Sequence, residues 1–155
     1  GTSYVGITVN TIPANNAAKT IALWLYSRES PSGGTLVDLV NAGSSSQLTF
    51  SQNGDFTASK WGGTSLVTTG ISPTVNTWQF AAYTYDGTTH RIYQNGVEIG
   101  SNTIAPNPAV PTVVRIGASS DNSNGIDGLI DDVYMYNRAL SPTEIQHLYY
   151  ATGGL

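Results

Sequence analysis

Three groups of residues in this chain have types and spacings that can do chemistry. The first is aromatic and basic. Lys60-Trp61-Gly62-Gly63 sets a large ring beside a cation and two flexible glycines, Tyr26 and Arg28 close one apolar run, and Arg91 and Tyr93 alternate along another. An aromatic face takes the C–H side of a sugar ring while polar groups around it take the hydroxyls. Arg28, with its fixed fork of donors, would hold vicinal hydroxyls, a carboxylate or a sulfate, although an ion pair with Glu29 or Asp38 is the commoner use of such a side chain. Trp61 can equally close one end of a folded core, and Trp24 and Trp78, inside apolar runs, are expected to pack there. The second group is Asp121-Asn122-Ser123-Asn124-Gly125-Ile126-Asp127, an oxygen-rich loop that suits Ca²⁺, which takes roughly six to eight oxygen ligands. Asp131 or Asp132 would add a carboxylate. The loop lacks the terminal bidentate Glu of an EF-hand, and Asn and Asp also serve simply as turn formers.

The third group is the set of carboxylates, where catalysis would need two facing one sugar at roughly 5 to 9.5 Å. Glu29, Glu98 and Glu144 stand alone. Asp131 and Asp132 are adjacent on a strand pattern and are expected on opposite faces, and Asp127 and Asp131 would lie about 13 Å apart in extended chain. His90 and His147 have no metal-binding His-x-x-x-His spacing, and no Gly-x-Ser-x-Gly elbow is present. The absence of cysteine excludes thiolate chemistry and a disulfide framework. No catalytic residue is expected, and the chain reads as a binder.

Composition narrows what could be bound. Six Lys and Arg residues and a net charge of −4 leave no basic footprint for nucleic acid or an anionic membrane, so neutral partners are favoured. A cluster of Arg28, Arg91 and Lys60 would be the exception, able to take sulfate or uronate. The apolar runs are far shorter than the roughly 20 residues of a membrane helix. A length of 155 residues fits one domain that needs no oligomer to bury its core, so a monomer is expected. Gly1-Thr2-Ser3-Tyr4 lacks the pattern of a signal peptide, which suggests residues 1–155 are one domain excised from a larger protein.

The elements that must position these residues are short strands between Gly, Pro, Asn and Ser clusters. Strands are predicted at 4–9, 20–26, 35–40, 47–50, 56–58, 65–68, 78–85, 90–94, 97–99, 112–116 and 129–136. Asn95-Gly96 predicts a type I′ hairpin turn, and Asp86-Gly87 marks another turn. One helix is expected, capped by Ser141 with Pro142 at its first position and Glu144 completing a capping box, and ending before Gly153. Ile145 and Leu148 would face inward. The class is all-β, a sandwich or closed barrel. On alternation Ile92 faces the core, which puts Arg91 and Tyr93 together on the opposite, candidate concave face.

Three segments carry a family resemblance: Thr20 to Tyr26, Trp78 to Gly87, and Gly128 to Ser141, the last reading Gly-Leu-Ile-Asp-Asp-Val-Tyr-Met-Tyr-Asn-Arg-Ala-Leu-Ser. Together with Arg91 to Val97 and Arg115-Ile116-Gly117 they resemble the laminin-G-like domains of bacterial secreted proteins, within the concanavalin A-like jelly-roll superfamily. The last segment is also similar to the end of pentraxins. The resemblance implies a two-sheet antiparallel jelly-roll sandwich with one short C-terminal helix, a secreted or cell-surface location, and a structural Ca²⁺. It implies roles in polysaccharide binding, adhesion or accessory modules beside glycan-active enzymes. With the missing carboxylate pair, the leading expectation is a non-catalytic carbohydrate-binding module that targets a parent enzyme or surface protein to a polysaccharide. A protein-binding or adhesive spacer domain comes second and a small hydrolase or lyase third.

Overall fold

The computed structural model describes residues 5–8, 13–14, 16–28, 34–41, 46–60, 64–106, 110–119 and 124–154. Trp61, Asp121, Asn122 and Glu29 lie outside the described residues.

Period-two alternation and β-branched residues build the strands β1 (Val5–Thr8), β2 (Lys19–Ser27), β3 (Gly34–Val40), β4 (Ser46–Asn53), β5 (Asp55–Lys60), β6 (Thr64–Thr68), β7 (Trp78–Tyr85), β8 (His90–Gln94), β9 (Val97–Asn102), β10 (Val113–Ile116) and β11 (Gly128–Tyr136). A single described helix, α1 (Pro142–Ala151), follows. The strands form two antiparallel sheets, a six-stranded one in the order β1-β10-β3-β4-β5-β6 and a five-stranded one in the order β11-β2-β7-β8-β9. This is the expected jelly-roll sandwich, with strands at the expected places.

Between the sheets lies the main core. Ile21, Leu23 and Leu25 of β2, Ala81, Tyr83 and Tyr85 of β7, and Ile92 of β8 meet Val37, Leu39, Phe50, Phe56 and Leu66 of the other sheet. The Asn95-Gly96 turn joins β8 to β9 with φ values of 49° and 80°, the left-handed pair that a type I′ turn requires.

Most of the residues of β2 and β7 that alternation sends away from this core are buried as well. Ala22, Phe80, Ala82 and Tyr93 form a second buried cluster with Leu140 and Ile145, flanked by Trp24, Tyr134, Tyr136, Leu148 and Tyr149. The cover is α1. Ser141 caps it, with its hydroxyl accepting from the Glu144 N–H while the Glu144 carboxylate accepts from the Ser141 N–H, as the sequence predicts. The five-stranded sheet is thus apolar on both faces over β2 and β7, and its outer face is free beyond the end of α1.

Candidate functional site

At that free end the register fixes which side chains meet. Tyr26 pairs with Trp78 and Trp24 with Phe80 across β2 and β7. On the other flank Leu129 pairs with Tyr26 and Asp131 with Trp24 across β11 and β2. Trp24 and Tyr26 are two residues apart, so both stand on the outer face. Beyond the last turn of α1 the chain folds back onto them. The Trp24 Nε1–H donates to Thr152 Oγ1 at 2.9 Å, the Thr152 hydroxyl donates to the Leu148 carbonyl at 2.8 Å, and Gly153 takes a φ of 130°. The resulting cleft has a volume of about 280 Å³ and is lined by Trp24, Trp78, Asp131, Asp132, Thr152 and Gly153. That volume lies near the lower end of the roughly 300 to 1,000 Å³ of small-molecule sites, enough for a short stretch of a chain ligand.

Trp78 is the exposed wall of this cleft. It is 42% accessible and rests against Tyr26 with ring centroids 5.7 Å apart. The expectation that Trp78 packs in the core is corrected. It opens β7 on the face shared with Phe80 and Ala82, but α1 reaches only those two. Trp24 is half-buried, held in a ring cluster with Phe80 and Tyr149 at 5.7 Å from each.

Asp131 and Asp132 form the opposite wall, and here a second expectation is corrected. Adjacent strand residues should point to opposite faces, but β11 is bulged between Asp131 and Tyr134, and Asp132 adopts a left-handed φ of 47°. The Asp131 carboxylate accepts from the Asp132 N–H at 2.8 Å and closes that bulge. Asp is among the few residues that tolerate the left-handed region, so the extra residue turns both carboxylates into one cleft. Both are exposed.

The basic residues predicted as ligand-binding are not brought together. Arg28 follows the end of β2 and pairs with Asp127 at 3.6 Å, both side chains about half exposed. Arg91 sits opposite Thr84, which sits opposite Thr20, so it is about 26 Å from Arg28 along the strand direction at about 3.3 Å per residue. Arg91 is bound to Asp86 at 2.6 Å and approaches Glu98 at 3.6 Å. Lys60 is on the other sheet, donating to the Ala105 carbonyl at 3.0 Å. The cluster for sulfate or uronate is therefore absent. Tyr93 is fully buried under α1, so its face is the helix-covered one and not an open concave one. Among the described residues of that set, Tyr26 alone borders the cleft, through its contact with Trp78.

For calcium, Asp131 and Asp132 belong to the cleft and Asp127 to its ion pair, and among the described residues no three His, Cys, Asp or Glu side chains converge as a metal site. One observation suits a hard cation at the loop of residues 121–127. Gln52 donates through Nε2 to Ser27 Oγ at 3.2 Å and leaves its buried Oε1 without a hydrogen-bond partner. The Gln52 side chain and the Ile126 backbone both lie against Gly34. An unpartnered amide oxygen there is the type of ligand Ca²⁺ takes.

Sequence reasoning missed Trp78, Thr152 and Gly153. The alternation of β7 assigns Trp78 to the face of Phe80, but the end of α1 decides whether that face is covered.

A family model described as the concanavalin A-like lectin/glucanases superfamily matches residues 1–146. No curated protein sequence matches the chain. Among solved structures, domain 4 of AbnA, a GH43 extracellular arabinanase from Geobacillus stearothermophilus in complex with arabinotriose, has a TM-score of 0.78 at 18% identity, over 94% of this chain and 72% of that one. The binding domain of botulinum neurotoxin DC in complex with SialylT gives 0.70 at 18%, over 96% and 39%. Trypanosoma rangeli sialidase gives 0.67 at 18%, over 88% and 23%. At these identities the likeness is one of fold, and the chain spans less than half of the latter two.

Proposed function

We propose a glycan-binding role from the premise that the chain belongs to the concanavalin A-like lectin/glucanases superfamily. It is a non-catalytic carbohydrate-binding module whose ligand lies across Trp78, and it serves a larger secreted or surface protein by holding that protein on a polysaccharide. The observation that carries the reading is the cleft itself. A half-exposed indole, the Trp24 ring and two Asp residues line one cleft, which offers a stacking surface and hydrogen-bond acceptors to one sugar chain. Similar folds crystallised with arabinotriose and with SialylT support it. The spacer reading asks for a surface without an exposed aromatic, and Trp78 speaks against that.

Calorimetric titration against a panel of soluble oligosaccharides tests the proposal. Saturable binding to at least one glycan class is expected, and Trp78→Ala should weaken it by roughly tenfold or more, as loss of an aromatic contact of about 1.5 kcal/mol implies. The unfolding midpoint should change little, because Trp78 is already half exposed. Absence of binding across the panel, or binding untouched by Trp78→Ala, overturns the site.

Calcium at the loop of residues 121–127 is a separate part of the proposal, supported by the loop's oxygen-rich sequence and the free Gln52 Oε1. Added Ca²⁺ should raise the unfolding midpoint and a chelator should reverse the rise, with Gln52→Leu blunting the response. A midpoint indifferent to both removes the ion.

A further inference from the structure

We infer that the cleft discriminates its ligand by charge and takes a cationic amino sugar, one bearing a free ammonium group, ahead of its neutral counterpart. The inference rests on the glycan-binding reading and names the sugar class for that site.

The argument begins with the disposition of the chain's six Lys and Arg residues. Each has a partner, and none lines the cleft. Lys19 donates to the carbonyls of Ala14 and Ala17, Arg28 pairs with Asp127, and Lys60 donates to the Ala105 carbonyl. Arg91 pairs with Asp86, Arg115 donates to the Ser119 carbonyl, and Arg138 pairs with Glu144. Asp131 and Asp132 therefore face the cleft with no cation of this protein among its lining residues.

Donor and acceptor chemistry points the same way. The Thr152 hydroxyl is occupied, accepting from the Trp24 indole and donating to the Leu148 carbonyl. Of the other polar side-chain groups in the lining, the Trp78 indole N–H donates and the two carboxylates only accept, so the negative charge there is unbalanced. An ammonium supplies three donors and a charge, and the faces of Trp24 and Trp78 attract a cation as well as the C–H side of its ring. The left-handed turn at Asp132, closed by the Asp131 carboxylate, is what delivers both negative groups to one wall. A uronate or sulfate would meet that same wall with like charge. Because both carboxylates are exposed, the discrimination is modest, roughly threefold to tenfold at low salt, and is screened as salt rises.

The experiment compares β-1,4-linked tetramers of glucosamine, N-acetylglucosamine and glucose, which share a backbone and differ at C2, in mildly acidic low-salt buffer. The glucosamine tetramer should bind several-fold tighter than the other two, with the ratio approaching one in roughly 0.5 M salt and in the double variant Asp131→Asn/Asp132→Asn. Asn also tolerates the left-handed position, so that variant keeps the bulge. Equal affinity for the three tetramers, or a preference that survives the double variant, overturns the inference and leaves the glycan-binding reading standing. The same holds if none of the three binds while another glycan binds in a Trp78-dependent way. A tetralysine peptide bound as tightly as the glucosamine tetramer would also overturn it and reassign the cleft to a cationic protein partner.

Discussion

His90 is where a single proton matters most to this molecule. It is fully buried, stacked on Tyr85 at 4.3 Å, and bonded at both ring nitrogens. Nε2 meets the Ile104 carbonyl at 2.7 Å and must donate to it, so Nδ1 accepts from the Tyr83 hydroxyl at 2.8 Å. Burial pushes the Tyr83 phenol up, which keeps it a donor. The ring fits only when neutral. Burial holds His90 below its ordinary pKa of 6.5, and the charges of Lys19 and Lys60 act in the same direction, while the Ile104 hydrogen bond and Asp86 oppose them. As pH falls below 6.5 the unfolded chain takes up its proton before the folded one, so stability present above 6.5 is lost as pH falls through the lower folded value. The unfolding midpoint should drop between about pH 7.5 and about pH 5, and His90→Gln should flatten that dependence even if it lowers the midpoint throughout. An equally steep dependence in the variant would show that other groups carry it. The tautomer is set by the partners of both nitrogens, which are 7 and 14 residues away, so nothing in the sequence around His90 reveals it.

At the scale of elements, α1 both completes the second core and carries one end of the cleft. Its cap is local chemistry. Glu144 receives both nitrogens of Arg138 at 2.8 and 2.9 Å, and Arg138, followed by the Ser141 N–H, holds the Glu144 carboxyl down at about 2. The contribution of that carboxylate is complete above its ordinary 4.5 and is lost as pH falls toward 2. Ser141→Ala should cost about 1 kcal/mol in urea unfolding at neutral pH; a loss below about 0.3 kcal/mol would mean that the Glu144 and Arg138 pair carries the cap unaided. Such elements are legible in sequence because their signals are contiguous. Trp78 to Tyr85, Asn95-Gly96 and Ser141 to Glu144 each announce their structure within a few residues. The candidate site was legible only in part. Tyr26, Asp131 and Asp132 were recognised as chemical residues, but the bulge that reverses Asp132 depends on pairing with β2, and the burial of Tyr93 depends on a helix about 50 residues later packing back onto its strand. Alternation separates two faces; it does not say which one is covered.

For the whole molecule, the arrangement is two cores sharing one sheet, with the cleft where the second core stops. The main core lies between the sheets, the second beneath α1, and β2 and β7 serve both. A ligand site on two largely buried strands would give Trp24 and Trp78 a rigid base, which lowers the ordering cost of binding. The three tryptophans give one indole N–H resonance each, and following these three signals by NMR during titration with a bound oligosaccharide tests the central claim most directly. With the ligand across Trp78, the indole signals of Trp78 and Trp24 should move together and saturate at one affinity. Movement of Trp61 alone, with Trp78 and Trp24 unchanged at saturation, would place the ligand elsewhere and contradict it.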